Sequence, residues 1–324
     1  MRVLLLAVLL ALAPVPEARA AFDSSSAGTA TGQFLKLGAD ARSAGMGEAV
    51  GAAAEDASAL YWNPAGLAAL EKREVLLSHA FLYQSLYADL AVFACPLSPA
   101  AAPRRREFRP SGLGTLALGA LYLSAGDIPE MDNSGTATGG SVKPYDLAVM
   151  AGWGASLSEH LDAGIAIKFI DSRITRSARS GAADAGLRWH TLLGDQWPYV
   201  AAFSGSNFGG RLRYREKTEQ LPTVLRFGQS LRLMRNWLLA VDAVGPSDGR
   251  PYANVGSETS WPFTDATAFV RAGWSGRTMM SDLDGITGFS FGFGARLAGG
   301  GFDYAWAPYG VLGQAHRFAF TYRF

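Results

Sequence analysis

The only pattern in the chain that resembles a hydrolase nucleophile is Gly288-Phe289-Ser290-Phe291-Gly292. A nucleophilic serine in a G-x-S-x-G motif stands on a sharp strand-to-helix turn, where a histidine base can reach its hydroxyl. Here the motif lies within an alternating run of apolar and small residues that is typical of a strand. We therefore interpret the match as coincidental and predict a non-enzymatic protein with no catalytic residues.

The residue types that bind metals are scattered along the chain. The four histidines, which show neither His-Glu-x-x-His spacing nor a close pair, are His79, His160, His190 and His316. Asp127, Asp132 and Asn133 are close in sequence but lack the spacing of a calcium-binding loop. The single cysteine, Cys95, excludes a disulfide framework and a Cys-x-x-Cys site. The sequence thus predicts neither a metal nor a cofactor.

Composition favours a strand-rich fold. The 324 residues include 38 glycines, and only 18% are charged, below the roughly 25% of ordinary soluble domains. The 29 Lys and Arg nearly balance the 28 Asp and Glu, so the chain lacks the basic surface that nucleic-acid binding needs. We predict no nucleic-acid partner.

Residues 1–20 have the features of a signal peptide. Arg2 precedes an apolar stretch over 3–15, and Ala18-Arg19-Ala20 places small residues before a cleavage site. Because the stretch is shorter than the roughly 20 residues of a membrane-spanning helix, we expect export and not a helical anchor. A membrane location would then require a barrel.

The remaining chain divides into residues 21–74, rich in small residues, and residues 75–324, rich in strands. Alternation and turn signals predict fourteen strands, at 75–84, 87–97, 112–124, 145–157, 161–173, 182–192, 199–208, 221–233, 237–245, 252–261, 265–275, 286–297, 301–307 and 314–324. Fourteen is an even number and most of the strands are long enough to cross a bilayer, as in outer-membrane barrels.

The two faces of these strands differ in polarity. Ile165, Ile167 and Phe169 share one side of their predicted strand, with Asp162 and Lys168 opposite. Apolar-out alternation is typical of a membrane barrel, although a soluble β-sandwich also alternates. The connections favour the barrel, because from the fourth strand onward they alternate between short and long. Outer-membrane barrels have short periplasmic turns and longer external loops, which places 125–144 and 209–220 outside. The connections at 85–86 and 98–111 do not fit this alternation.

The last predicted strand carries a stripe of aromatic residues. Phe318, Phe320, Tyr322 and Phe324 alternate with Arg317, Ala319, Thr321 and Arg323. A lipid-facing stripe that ends in Phe resembles the signal read by the outer-membrane assembly machinery. An ordinary strand that closes a sheet is the alternative.

Within residues 21–74 we predict one short helix. Asp56 is placed as the N-cap of a helix over 57–62, which Pro64 and Gly66 terminate.

The stretch QFLKLGADARSAGMGEAVGAAAEDASALYWNPAGLA, residues 33–68, resembles the N-terminal signature of the PorV/PorQ family. This family is related to the FadL-type transporters of long-chain fatty acids. Residues 302–324 are similar to the family's C-terminal hairpin, and the block Asn63-Pro64-Ala65-Gly66 is the most specific part of the likeness.

The resemblance implies an all-β, 14-stranded antiparallel transmembrane barrel in the bacterial outer membrane, with an N-terminal hatch inside. It also implies that the hatch uses Arg42, Gly45, Met46, Gly47, Asp56, Asn63, Pro64 and Gly66. A lumen of 14 strands is too wide for wall side chains to fill, which gives a physical reason for a plug. A peripheral arm with turn residues is the alternative.

Three functions stay open. The resemblance favours an outer-membrane component that meets a secretion-channel protein and secreted cargo through its external loops, as in type IX secretion. A passive port for fatty acids or other hydrophobic molecules is the second. An outer-membrane hydrolase, which would need a Ser–His pair, is the third.

Overall fold

The structure is a computed structural model that describes residues 30–38, 40–83, 85–97, 112–132, 134–194, 196–213, 218–279 and 284–324. The predicted signal peptide and the connection 98–111 lie outside the described residues. The helices in the described part are short, at Ala41–Gly45, Ala59–Trp62 and Gly276–Met279. Single 3-10 turns lie at Gln33–Lys36, Pro64–Ala69 and Gly310–Leu312. None of these described helices has the length and apolar character to cross a bilayer.

Fourteen antiparallel strands close into one barrel. Its strands are β1 (Glu74–Phe81), β2 (Tyr87–Pro96), β3 (Thr115–Ser124), β6 (Tyr145–Ser156), β7 (Leu161–Arg173), β8 (Ser177–Leu193), β9 (Trp197–Phe208), β12 (Val224–Leu233), β13 (Trp237–Pro246), β14 (Tyr252–Pro262), β15 (Ala266–Ser275), β16 (Phe289–Leu297), β17 (Gly300–Pro308) and β18 (Gln314–Arg323). The first and last strands pair from Glu74 with Arg323 to Phe81 with His316, which closes the barrel. The fold class and strand number predicted from sequence are confirmed.

The barrel presents an apolar exterior and a polar interior. On β7, Ile165 and Ile167 are 59% and 66% exposed, whereas Asp162 and Lys168 on the opposite face are 2% and 4% exposed. Phe289, Phe291 and Phe293 on β16 are likewise exposed, with Ser290 buried between them. Burial of the charged face inside the barrel explains the alternation seen in the sequence.

Two small hairpins stand on the barrel rim that carries the long connections. They consist of β4 (Ile128–Met131) with β5 (Ala137–Val142), and β10 (Arg211–Arg213) with β11 (Thr218–Gln220). Both lie in connections that the sequence placed outside, and their small, polar strands gave no alternation signal. We assign this rim to the cell exterior.

Residues 30–70, here called the N-terminal segment, run inside the barrel. Phe34, Leu60 and Leu67 of the segment form one buried core with wall residues such as Leu90 and Met150. The packing of this segment against the wall excludes a peripheral arm.

Candidate functional site: the N-terminal segment inside the barrel

The segment begins beneath the external loops. The amide of Thr31 donates to the carbonyl of Gln220 at 3.1 Å, and the ammonium of Lys36 binds the Asp248 carboxylate at 2.8 Å. Gly32 lies against Leu212, a fully buried residue of β10. The second hairpin therefore folds back over the start of the segment and covers it.

Asp40 organises the first helix of the segment. Its carboxylate accepts the Ser43 amide at 2.8 Å, which caps helix Ala41–Gly45, and the Trp62 indole N–H at 3.1 Å. Burial, together with the charge of Asp56, raises the pKa of the Asp40 carboxyl. The sequence missed this helix, because five residues are too few for a periodic signal.

The residues Gly45-Met46-Gly47 bring the segment into contact with wall backbone. A Cβ on Gly45 would lie 3.2 Å from the Cα of Gly292, and one on Gly47 would lie 2.5 Å from the amide nitrogen of Trp274. Gly47 also has a φ of +62°, which favours glycine. Met46 is fully buried. The structure thus places all three residues against the barrel wall, and their role in a hatch stays a prediction.

Arg42 anchors the segment to the far wall through a chain of ion pairs. Its guanidinium donates two hydrogen bonds to the Glu258 carboxylate, at 2.9 and 3.1 Å, and a third to the Asp56 carboxylate at 3.2 Å. Glu258 also binds Arg271 at 2.7 Å, and Arg271 in turn binds Asp303 at 2.7 Å. Burial acts to lower the pKa of Arg42, but Glu258 and Asp56 raise it well above its ordinary value.

Asp56 does not cap a helix in the way the sequence predicted. Helix Ala59–Trp62 begins two residues later than expected, and the Asp56 carboxylate instead accepts the Ser58 amide at 3.0 Å. Burial acts to raise the pKa of Asp56, yet the charge of Arg42 leads the effects that bring it below its usual value. The prediction for the helix start was wrong because residues 56–58 form a turn, in which the Ala57 amide donates to the Glu74 carboxylate at 2.8 Å.

The helix ends at Trp62, before Pro64, as the sequence predicted. The chain then continues into a 3-10 stretch over Pro64–Ala69, which the sequence did not predict. The Asn63 side chain holds this turn by accepting the Ala65 amide at 3.1 Å and donating to the carbonyl of Gly51 at 3.0 Å. Gly66 fits closely against the Ala54 carbonyl, from which an added Cβ would be 2.2 Å.

Beneath this turn the wall carries a row of glycines, here called the glycine seat: Gly154, Gly164 and Gly186. They are paired side by side across β6, β7 and β8. A Cβ on Gly164 would lie 2.3 Å from the carbonyl carbon of Pro64, and one on Gly186 would lie 2.0 Å from Oδ1 of Asn63. The row lets segment backbone touch wall backbone. Sequence reasoning missed the seat, because the three glycines meet only through strand register.

Other wall residues missing from the predicted set bind the segment from several sides. Arg188 donates to Glu55 at 2.7 Å, and Arg226 donates to the Glu48 carbonyl at 2.9 Å. The sequence indicated these two arginines only through their place on the polar, inward-facing side of their strands. None of the described residues forms a metal-binding group of three or more His, Cys, Asp or Glu side chains.

The aromatic stripe lies elsewhere, on the outer face of β18. Phe318, Phe320, Tyr322 and Phe324 are 37–53% exposed, which agrees with the lipid-facing placement. Their role as an assembly signal stays a prediction.

An apolar exterior, a closed 14-stranded wall and a polar lumen filled by an N-terminal segment define a bacterial outer-membrane β-barrel.

The family follows from the sequence. The family described as "Type IX secretion system protein PorV" matches residues 20–238, and the chain belongs to this family. It is therefore a non-enzymatic outer-membrane protein. The match ends within β13, so the likeness of residues 302–324 to the family's last hairpin stays a prediction. No curated protein sequence matches the chain.

Solved structures share the fold. The chain is similar to the Ralstonia pickettii toluene transporter TbuX, with 13% identity, 90% of this chain and 99% of that chain covered, and a TM-score of 0.57. It is also similar to the Pseudomonas putida toluene transporter TodX, with 10% identity, 88% and 96% covered, and a TM-score of 0.53. At these identities the likeness is one of fold.

Proposed function

We propose that this protein is a closed barrel that serves protein secretion by presenting its external loops to a protein partner, with residues 21–74 as a hatch that shuts the lumen. The observation that carries the proposal is the ion-pair chain from Arg42 through Glu258 and Arg271 to Asp303. Removing one partner of a buried ion pair destabilises a protein by several kcal/mol, because the other charge stays buried without a partner. Moving the segment to open a passage would separate Arg42 from Glu258, so the contacts favour a permanent plug.

The lining of the lumen supports the same proposal. A recess near the external rim contains the aromatic rings of Tyr61, Trp62 and Tyr252, but also the cations Lys36 and Arg226. A port for hydrophobic molecules needs a largely apolar surface. The charged groups in this recess disfavour passage of an apolar solute.

The first external hairpin offers a surface for a partner. All four residues of β4 are exposed, and Ile128 and Met131 are 47% and 56% exposed on an otherwise polar loop. The second hairpin is less available, since Leu212 packs onto the N-terminal segment. We therefore place the partner contact on residues 125–144. The family's description as a secretion component agrees with this role.

Transport of hydrophobic molecules is the second candidate. It is favoured by the fold that the chain shares with TbuX and TodX, which are described as toluene transporters, and by the three aromatic rings of the recess described above. The ligand would enter from the external rim and pass beside the hatch.

Native purification separates the two. We would solubilise the protein gently from its own outer membrane and identify co-purifying proteins and lipids by mass spectrometry. Secretion predicts a membrane protein or cargo at near-stoichiometric amounts, which is lost in Ile128→Ser/Met131→Ser. Met234→Ser is the matched control, because Met234 is 69% exposed on the opposite rim. Apolar molecules bound without any protein would support transport and contradict the proposal.

A further inference from the structure

A second recess at the external rim, here called the arginine recess, lies between the N-terminal segment and the external ends of β15, β16 and β17. Two arginines line it, Arg277 and Arg317, with one carboxylate, Glu48. The proposed secretion role uses none of these three side chains.

Arg317 lacks an acidic partner among the described residues. Its side chain is buried, with the residue 1% exposed. Its Nε donates to the Gly38 carbonyl at 3.2 Å, and one terminal nitrogen donates to the Tyr309 hydroxyl at 3.3 Å. A guanidinium has five N–H donors, so most of its capacity is left over. A buried cation without a counterion is costly, which calls for an anion at this place.

The other cation of the recess is already neutralised within the protein. Arg277 binds Oε1 of Glu48 at 2.8 Å and also donates to the Lys36 carbonyl. The pair leaves Arg317 as the net positive charge of the recess. An incoming anion would therefore meet one uncompensated guanidinium, with a second guanidinium beside it.

Two hydroxyl groups add neutral donors. The Oγ of Ser275 is buried and has no hydrogen-bond partner among the described residues. The Oγ of Ser290 accepts the Gly47 amide at 3.1 Å, and its own O–H donates to no group in the described part of the chain. An unsatisfied buried hydroxyl is rare and costs free energy. Together with Arg317, these groups form a set of donors without a matching acceptor.

We infer that the arginine recess binds a single oxyanion, a carboxylate or phosphate group, that enters from the external rim. Arg317 holds the charge of the anion, and the hydroxyls of Ser275 and Ser290 orient its oxygens. Ala44, Ala307 and Pro308 line the same recess and form its apolar wall. The inference is independent of the secretion role, since neither the hairpin 125–144 nor a protein partner takes part.

The test is oxyanion binding to the purified full chain in a neutral detergent. Calorimetry and thermal unfolding with phosphate, acetate and octanoate, against chloride at matched ionic strength, give the affinities. We expect oxyanions, but not chloride, to raise the unfolding temperature. Octanoate binding tenfold or more tightly than acetate would assign the group to an apolar-tailed carboxylate. Equal binding of acetate and phosphate would assign it to a free small anion.

Substitutions identify the residues that bind the oxyanion. We expect Arg317→Gln to weaken oxyanion affinity at least tenfold, because a charge-assisted hydrogen bond is lost. Arg317→Lys should be intermediate. Ser275→Ala removes a hydroxyl that has no partner in the part of the chain that the structure describes, so this variant should fold normally and weaken binding by roughly twofold to tenfold. Arg235→Gln, an exposed arginine on the opposite rim, removes the same charge and should change nothing.

Two results would overturn the inference. One is stabilisation by chloride equal to that by phosphate, and the other is unchanged affinity in both Arg317→Lys and Ser275→Ala.

Discussion

Substitution of Gly164 by alanine tests whether the glycine seat positions the N-terminal segment. The new Cβ would lie 2.3 Å from the carbonyl carbon of Pro64 and 2.4 Å from the amide nitrogen of Ala65. Both are backbone atoms that no side-chain rotation can move. Ordinary van der Waals contact begins at 3.4 Å, so the turn would have to retreat by about 1 Å from a close-packed wall.

Such overpacking typically costs about 1–3 kcal/mol. We expect Gly164→Ala to lower the free energy of unfolding by that amount, measured in urea by tryptophan fluorescence. A planar bilayer should also record higher conductance from the variant, because the segment no longer seals against β7.

The control is Gly181→Ala on the neighbouring strand β8. There the only atom within 4 Å of an added Cβ is the Lys168 carbonyl oxygen, at 3.7 Å, and we expect a change within about 0.5 kcal/mol. If Gly164→Ala behaved like Gly181→Ala in both stability and conductance, the segment would not be seated on these glycines.

Three further predictions concern the charges and the last strand. Glu258→Gln should lower the free energy of unfolding by about 3–5 kcal/mol, because Arg42 is left buried without its main partner; the exposed Glu159→Gln is the control, and equal effects in urea unfolding would contradict the ion-pair chain. Burial raises the pKa of Asp40 above its ordinary 3.8, so the native protein holds this proton more tightly than the unfolded chain does. The resulting contribution to the free energy of unfolding is complete below pH 3.8 and is lost as the pH rises through the native pKa. Asp40→Asn removes this contribution, so the stability of the wild type relative to the variant should fall as the pH rises above about 4 and stop falling once the native pKa is passed; a stability difference independent of pH would contradict the prediction. Deletion of Phe324 should leave protein unassembled and open to periplasmic proteolysis, whereas normal outer-membrane levels in a Western blot would refute its role as an assembly signal.

The strands were predictable because the side chains of each strand face the lipid and the lumen in alternation. β7 has the bounds the sequence predicted, Leu161–Arg173, since its apolar face is uninterrupted. β8 is longer than the predicted 182–192, because it continues beyond the apolar face to Ser177 on the external side. The external hairpins were missed, because strands of three to six residues without an apolar face leave no periodic signal.

The interior was predictable only in part. The resemblance implied turn residues of the segment, such as Asn63 and Gly47, whose role in a hatch stays a prediction. It did not identify their partners, because contacts such as Arg42 with Glu258 join residues 216 positions apart. Such pairs depend on strand register and barrel closure, which a single sequence does not specify.

The conductance of the protein with and without its hatch tests the central claim most directly. Wild type and a variant lacking residues 22–70 would be inserted into planar bilayers, after heat-modifiable mobility on gels has verified that both barrels fold. We predict that the wild type gives no steady ion current and that the deletion variant gives large, discrete steps through a water-filled lumen. Two folded barrels with the same conductance would contradict a lumen closed by the N-terminal segment.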